Sequence, residues 1–244
     1  MIAQRKYIVN IPQKVLRAFE DVYYMLLCAL YNCVVKLLLL MICTQPMWRC
    51  KMAKLYFKYG AMGSSKSAQA LTTKFNYEEK GMTVWLIKPG TDTRDGADII
   101  RSRIGLQHRA QVIHPDDDII QAYHDAGDFD VIIADEAQFL TPTQIDGLRW
   151  LVDEYDLPVL CFGLRTDFQT HFFPGAQRLM ELADSITEIK TICECGRKAT
   201  VNARFDDNGR IITEGDQVVL GGNDRYTAMC HKCWKQRIKE QEES

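Results

Sequence analysis

Residues 60–67 read Gly-Ala-Met-Gly-Ser-Ser-Lys-Ser, close to the pattern G-x-x-x-x-G-K-[ST]. Such a loop turns backbone N–H groups inward to phosphate oxygens, adds a lysine to neutralise them and offers a hydroxyl to Mg²⁺. Gly60, Ala61, Met62, Gly63, Ser64, Ser65, Lys66 and Ser67 are therefore candidate nucleotide-binding residues, with Ser67 a candidate Mg²⁺ ligand. Ser65 stands where the pattern has its second glycine, and a β-carbon there tolerates positive φ less well. Further on, the apolar run Val131-Ile132-Ile133-Ala134 ends in Asp135-Glu136. An acid at the end of such a strand is placed to hold Mg²⁺ directly or through water. Successive strand side chains point to opposite faces, so Asp135 and Glu136 are expected to serve different partners, Asp135 the metal and Glu136 the proton of an acceptor hydroxyl. A third group is Cys193, Cys195, Cys230 and Cys233, with 34 residues between Cys195 and Cys230. Four thiolates fill a tetrahedral zinc shell and leave no open position, so this metal would be structural. His231 lies between two of the cysteines and reads as a bystander; Cys161, on an apolar strand, reads as core.

Placing these residues requires alternating strands and helices. From Leu55 onward the pattern is strand, loop, helix, repeated, which predicts a mainly parallel sheet with right-handed crossovers. Strands are expected at 55–59, 83–88, 111–114, 131–134, 158–163 and 186–192. Helices are expected at 67–79, from the carboxylates of 116–118 through about 126, from Thr141-Pro142 onward, and up to 183. After 191 the character changes to cysteines, glycines and a Lys/Glu-rich end.

Bulk properties narrow the class. At 244 residues, 47% apolar and 25% charged, the chain has the composition of a folded globular protein and excludes disordered or fibrous classes. A formal net charge of −2 supplies no broad basic field, so nucleic acid is not an expected partner. Nine cysteines, four of them paired at metal spacing, fit zinc in a reducing compartment better than a disulfide framework. Upstream, Arg5, Lys6, Lys14 and Arg17 precede an apolar run of 22 residues over 22–43, broken chiefly by Asn32 and Lys36. About 20 such residues span a bilayer. Three readings compete: a signal-anchor helix, a cleaved signal, and a segment absent from the functional protein. The last is favoured because Met52-Ala-Lys-Leu-Tyr-Phe reads as a natural start, so no membrane association and a cytoplasmic location are expected.

Together these pieces resemble the zinc-containing (type II) thymidine kinase family over residues 52–234. The resemblance rests on the loop ending Lys66-Ser67, Asp92-Thr93-Arg94, Asp135-Glu136-Ala137-Gln138-Phe139, Gly163-Leu164-Arg165-Thr166-Asp167-Phe168, the four cysteines and Gly221-Gly222-Asn223-Asp224-Arg225-Tyr226. It implies a P-loop NTPase-like α/β domain at 52–191 with helices on both sheet faces, a zinc-binding domain carrying a lasso loop at 192–234, and a charged tail at 235–244. The implied reaction moves the ATP γ-phosphate to the 5′-hydroxyl of thymidine, with Glu136 as base, Gln138 at the nucleotide, and Asp92 and Arg94 near the transferred phosphate. By the same resemblance thymine lies near Met62, Phe139, Leu164 and Phe168, lasso backbone around Gln217 and Val219 bonds its edge, and Tyr226 helps at the sugar. A homotetramer restrained by thymidine triphosphate is likewise implied.

Overall fold

The computed structural model describes residues 52–91, 96, 98–217 and 226–243. The apolar run at 22–43, and the readings attached to it, lie outside these residues.

Six parallel strands form the central sheet. They are β1 (Leu55–Tyr59), β2 (Val84–Pro89), β5 (Gln111–Ile113), β6 (Val131–Ala134), β7 (Val159–Gly163) and β8 (Ser185–Glu188), in the order β5-β2-β6-β7-β1-β8. Strand pleating sends alternate residues to opposite faces. Leu55, Phe57, Ile132, Ala134, Val159 and Cys161 join one buried cluster, while Val131, Ile133, Leu160 and Phe162 join another. Both faces must therefore be covered, as parallel sheets require. Helix α1 (Lys66–Glu78) supplies Ala70 and Leu71 to the second cluster; α2 (Ile119–Ala126), α3 (Pro142–Tyr155) and α4 (Pro174–Leu182) pack with the first. The fold class expected from the sequence is the one observed.

Helix starts follow their local chemistry. The Asp118 side chain accepts from the amides of Ile120 and Gln121 at the start of α2, and α3 begins with Pro142 behind a reciprocal box between Thr141 and Gln144. Helix α1 differs: its N-cap, Ser65, makes no side-chain cap bond. Its first amides stay available to a ligand, and the helix end favours an anion.

Two elements escaped the sequence reading. A hairpin of β3 (Ile99–Arg101) and β4 (Gln107–Arg109) stands between β2 and β5. A second antiparallel pair, β9 (Val201–Arg204) with β10 (Tyr226–Met229), follows the first cysteine pair and leads into helix α5 (His231–Glu242). Two expectations are corrected here. The sixth strand stops at Glu188 instead of reaching 192, because Ile192 turns away to bridge Lys198 beside the cysteines. The boundary expected at 235 falls inside a helix: α5 runs through it to Glu242, sustained by side-chain pairs one turn apart such as Gln236 with Glu240.

Candidate functional site

The C-terminal ends of β1, β6 and β7 converge on the loop 60–67, as is general for open parallel sheets, whose crevice lies outside the strand carboxyl ends. The Gly60 amide donates to the Gly163 carbonyl oxygen at 3.2 Å, tying the loop to the end of β7. No larger residue fits at 60, where a Cβ would sit 2.4 Å from the Ile189 carbonyl oxygen. Ser65 adopts φ 65°, ψ 26°, so the left-handed conformation that the pattern's glycine would supply is present with a serine. Lys66 folds back over the loop, its Nζ 3.1 Å from the Ala61 carbonyl oxygen and 3.5 Å from Ser64 Oγ.

Asp135 and Glu136 follow β6, but not in the way the pleat predicted. The strand ends at Ala134, and Glu136 takes a left-handed conformation (φ 48°, ψ 36°) at the start of the 3₁₀ turn Ala137–Phe139. This backbone reversal, and not strand alternation, separates the two carboxylates. A non-glycine residue in this region costs on the order of 1–3 kcal/mol, and such residues concentrate where function demands them. Asp135 is 2% exposed, hydrogen-bonded to Ser67, and its Oδ1 is buried without a hydrogen-bond partner among the described residues. Burial, with the adjacent Glu136 charge adding to it, pushes this carboxyl up to about 7, against the pull of the Ser67 hydroxyl and Lys66. A buried carboxylate oxygen with an open lone pair beside a hydroxyl is the donor set a hard divalent cation takes, so both residues fit Mg²⁺.

Glu136 is held from its far side. Gln138 Nε2 donates to Glu136 Oε2 at 2.6 Å, and Gln138 Oε1 accepts from the Leu164 amide at 2.9 Å. At 1% exposure Gln138 is a buried bridge from the end of β7 to Glu136. Gly163 makes room for it, since a Cβ there would lie 2.5 Å from Gln138 Oε1.

A cavity of about 190 Å³ opens in front of these groups. It brings together Met62, Gly63, Ser65, Lys66, Ser67, Asp135, Glu136 and Leu164 from the sequence expectation. It also adds a wall the sequence reading missed: Lys88, and Ile99 through Ile104 with Arg101 and Arg103. Lys88 is 1% exposed and donates to the carbonyl oxygens of Gly96 (3.2 Å) and Ile99 (3.1 Å), fastening this wall to β2. The local signal was weak: an apolar pair, Ile99-Ile100, a polar run over 101–103 and a turn glycine at Gly105, with no alternation to mark a strand.

Other expected site residues lie apart from the cavity. Gly60, Ala61 and Ser64 shape the loop from behind. Phe139 packs edge-on against Phe173 at 5.4 Å, and Phe168 is buried beneath the Arg204 guanidinium at 4.9 Å. Tyr226 pairs in register with Arg204 on the cysteine-side hairpin. Gln217 uses its side chain to donate to Asp167 Oδ2 (2.9 Å) and the Phe172 carbonyl oxygen (3.2 Å). Asp92, Arg94 and Val219 lie outside the described residues.

The four sulfur atoms of Cys193, Cys195, Cys230 and Cys233 lie within 4.8 Å of one another. Zinc–sulfur bonds of about 2.3 Å in a tetrahedron place sulfurs roughly 3.8 Å apart, inside that limit and close to the 3.6 Å between the Cys195 and Cys230 sulfurs, so the quartet fits one structural zinc ion.

Residues 53–234 match a family model described as Thymidine kinase. Similar curated proteins named thymidine kinase come from Ruegeria pomeroyi (46% identical, 76% of this chain and 95% of that protein) and Vibrio cholerae (44%, covering 77% and 99%). Another, from Chromobacterium violaceum, is 47% identical over 75% of this chain and 98% of its own length. The matched span holds the phosphate loop, both carboxylates and all four cysteines.

Proposed function

The chain belongs to the thymidine kinase family, and on that premise we propose how its residues carry a phosphoryl group from ATP to the 5′-hydroxyl of thymidine. The observation that carries the proposal is the two-sided setting of Glu136, across one cavity from the phosphate loop and buttressed by buried Gln138. Loop amides and the free start of α1 receive the ATP phosphates, and Lys66 leaves its resting place on the Ala61 carbonyl to neutralise them. Ser67 and Asp135 would hold Mg²⁺, which would offset charge on the transferred group. Glu136 accepts the proton of the 5′-hydroxyl as that oxygen attacks. Gln138 donates to one Glu136 oxygen and thereby orients the carboxylate at the cavity. Such transfer rests on position and charge, which these groups supply.

Leu164 and Met62 form the apolar side for the base, and the lasso, residues 197 to 229, closes over it. Asp92 and Arg94 complete the phosphate side, and Val219 joins Gln217 at the base edge. Cys193, Cys195, Cys230 and Cys233 would hold zinc and so tether both lasso ends, which would reduce the freedom lost on closure. Restraint by thymidine triphosphate, tetrameric assembly and a cytoplasmic location complete the reading. Incubation of the protein with ATP, Mg²⁺ and thymidine should yield thymidine monophosphate. A folded, zinc-loaded sample that makes none sinks the proposal.

A further inference from the structure

Asn202 is 3% exposed on β9, opposite Ala228 and seven residues after Cys195. Its carboxamide leaves the hairpin and enters the kinase core. Oδ1 accepts from the Met62 amide at 2.8 Å, and Nδ2 donates to the Thr166 carbonyl oxygen at 2.8 Å. Both partners are backbone groups of fixed polarity, so the orientation of the carboxamide is settled. The gap behind the loop, bounded by Gly60, Ala61, Thr166 and Asn202, is only about 10 Å³, so the carboxamide sits in a tight setting.

The Met62 N–H and the Ala61 carbonyl belong to one planar trans peptide unit, whose two polar groups point in opposite directions. Fixing the N–H therefore fixes the carbonyl. That carbonyl oxygen accepts from Lys66 Nζ at 3.1 Å and from the Ser64 amide at 3.2 Å. We propose that Asn202 is a positioning residue through which the cysteine-bound hairpin locks the 61–62 peptide, and with it the resting place of the phosphate-loop lysine. A reversed peptide would turn the Ala61 carbonyl back toward Asn202, put the Met62 N–H where the lysine now donates, and so remove the lysine's seat. The zinc unit then serves ATP binding as well as lasso closure. This inference rests on the reading of 60–67 as the ATP loop.

The test compares Asn202→Ala and Lys66→Ala in the full chain, each checked for zinc content and melting. Equilibrium binding of ATP and of thymidine is measured separately. Losing both bonds of a buried carboxamide should weaken ATP binding roughly tenfold, with a smaller change for thymidine. In protein labelled with ¹⁵N at methionine, the Met62 amide resonance, assigned through Met62→Leu, should also move on substitution of Asn202. ATP affinity within twofold of the parent, or a thymidine loss exceeding the ATP loss, overturns the role. If the alanine variant does not fold, Asn202→Ser, too short to span both partners, is read by the same criteria. Should Lys66→Ala itself retain ATP affinity, the loop reading fails; should Lys66→Ala lose it while Asn202→Ala does not, only the present inference fails.

Discussion

Around the phosphate loop, order comes from strands buried on both faces: Leu55, Phe57, Ile132, Ile133, Val159 and Phe162 are all fully inaccessible. Around the cysteines the buried cluster is far smaller, comprising Cys193, Ala199, Ala203, Ile211, Met229 and Cys230 with a few half-buried neighbours. Burial stabilises at roughly 25 cal/mol per Å² of apolar surface, so the sheet holds its strand ends unaided while six mostly small residues cannot hold a hairpin. One region positions catalytic groups by packing. The other carries a cysteine quartet whose spacing fits a metal, and in the proposed reading that metal supplies the order packing does not.

Breaking the second region alone is the largest test of this contrast. Cys230→Ser removes one ligand and also the sulfur that accepts the Cys233 amide at the start of α5. Bound structural zinc contributes on the order of 10 kcal/mol in small zinc modules, so the variant should lose zinc and fall below detectable thymidine phosphorylation. Amide exchange should show 201–204 and 226–229 deprotected while 131–134 stay protected. Uniform loss of protection would mean the sheet depends on the metal too, and the contrast would collapse.

Within the first region, Glu136→Gln keeps shape and the hydrogen-bonding reach toward Gln138 but removes the base. We expect kcat to fall on the order of 10²–10⁴-fold, with KM for thymidine, zinc content and melting near the parent values. A variant retaining full rate ends the assignment of Glu136. The same measurement at Cys230→Ser would show binding lost along with rate, which separates a chemical lesion from a positional one.

These two regions were also unequally legible in the sequence. Strand ends carrying Gly60 and Asp135 could be read because apolar runs with turn residues have a strong local signature, and because thiolate spacing states its chemistry directly. The β9–β10 hairpin could not, since Val201-Asn-Ala-Arg204 and Tyr226-Thr-Ala-Met229 alternate weakly and 21 residues separate them. Strand β4, Gln107-His-Arg109, is exposed throughout and offers no pattern at all. Gln138 was read as a nucleotide contact; its role as the link between Glu136 and Leu164 depends on the closeness of β7, which no local pattern encodes. Strand pleating alone accounts for two neighbouring carboxylates on opposite faces, but in the structure it is a left-handed Glu136 that separates them from one another.

A milder perturbation tests where the lasso gains its remaining support. Gln241, near the end of α5, accepts the Ile211 amide at 2.6 Å through Oε1, and its carbonyl oxygen accepts from Arg210 at 3.0 Å; one turn earlier Arg237 lies over Phe205 at 5.2 Å. The last helical turn is thus a clasp on the lasso base. Gln241→Ala should cost about 1 kcal/mol of hairpin stability and raise KM for thymidine a few-fold, leaving kcat nearly intact. A fall in kcat at unchanged KM would place the clasp on the chemistry instead of on closure.

The smallest expected effect lies in the loop itself. Ser65 and Glu136 share the left-handed conformation, at φ 65° and φ 48°, but only Glu136 has a side-chain role in the proposed chemistry. Ser65 is exposed and makes no cap bond to α1, so glycine there forfeits no hydrogen bond. The left-handed region costs an L-residue about 1–2 kcal/mol, against roughly 0.5–1 kcal/mol of chain entropy lost by glycine. Ser65→Gly should therefore stabilise the protein by on the order of 0.5–1 kcal/mol, read as a rise of roughly 2 °C in melting temperature for a chain of this size. No gain would mean that the strain at Ser65 is already offset by the ties at Gly60 and Met62. The phosphate loop would then owe its shape to the cysteine hairpin as much as to the sheet.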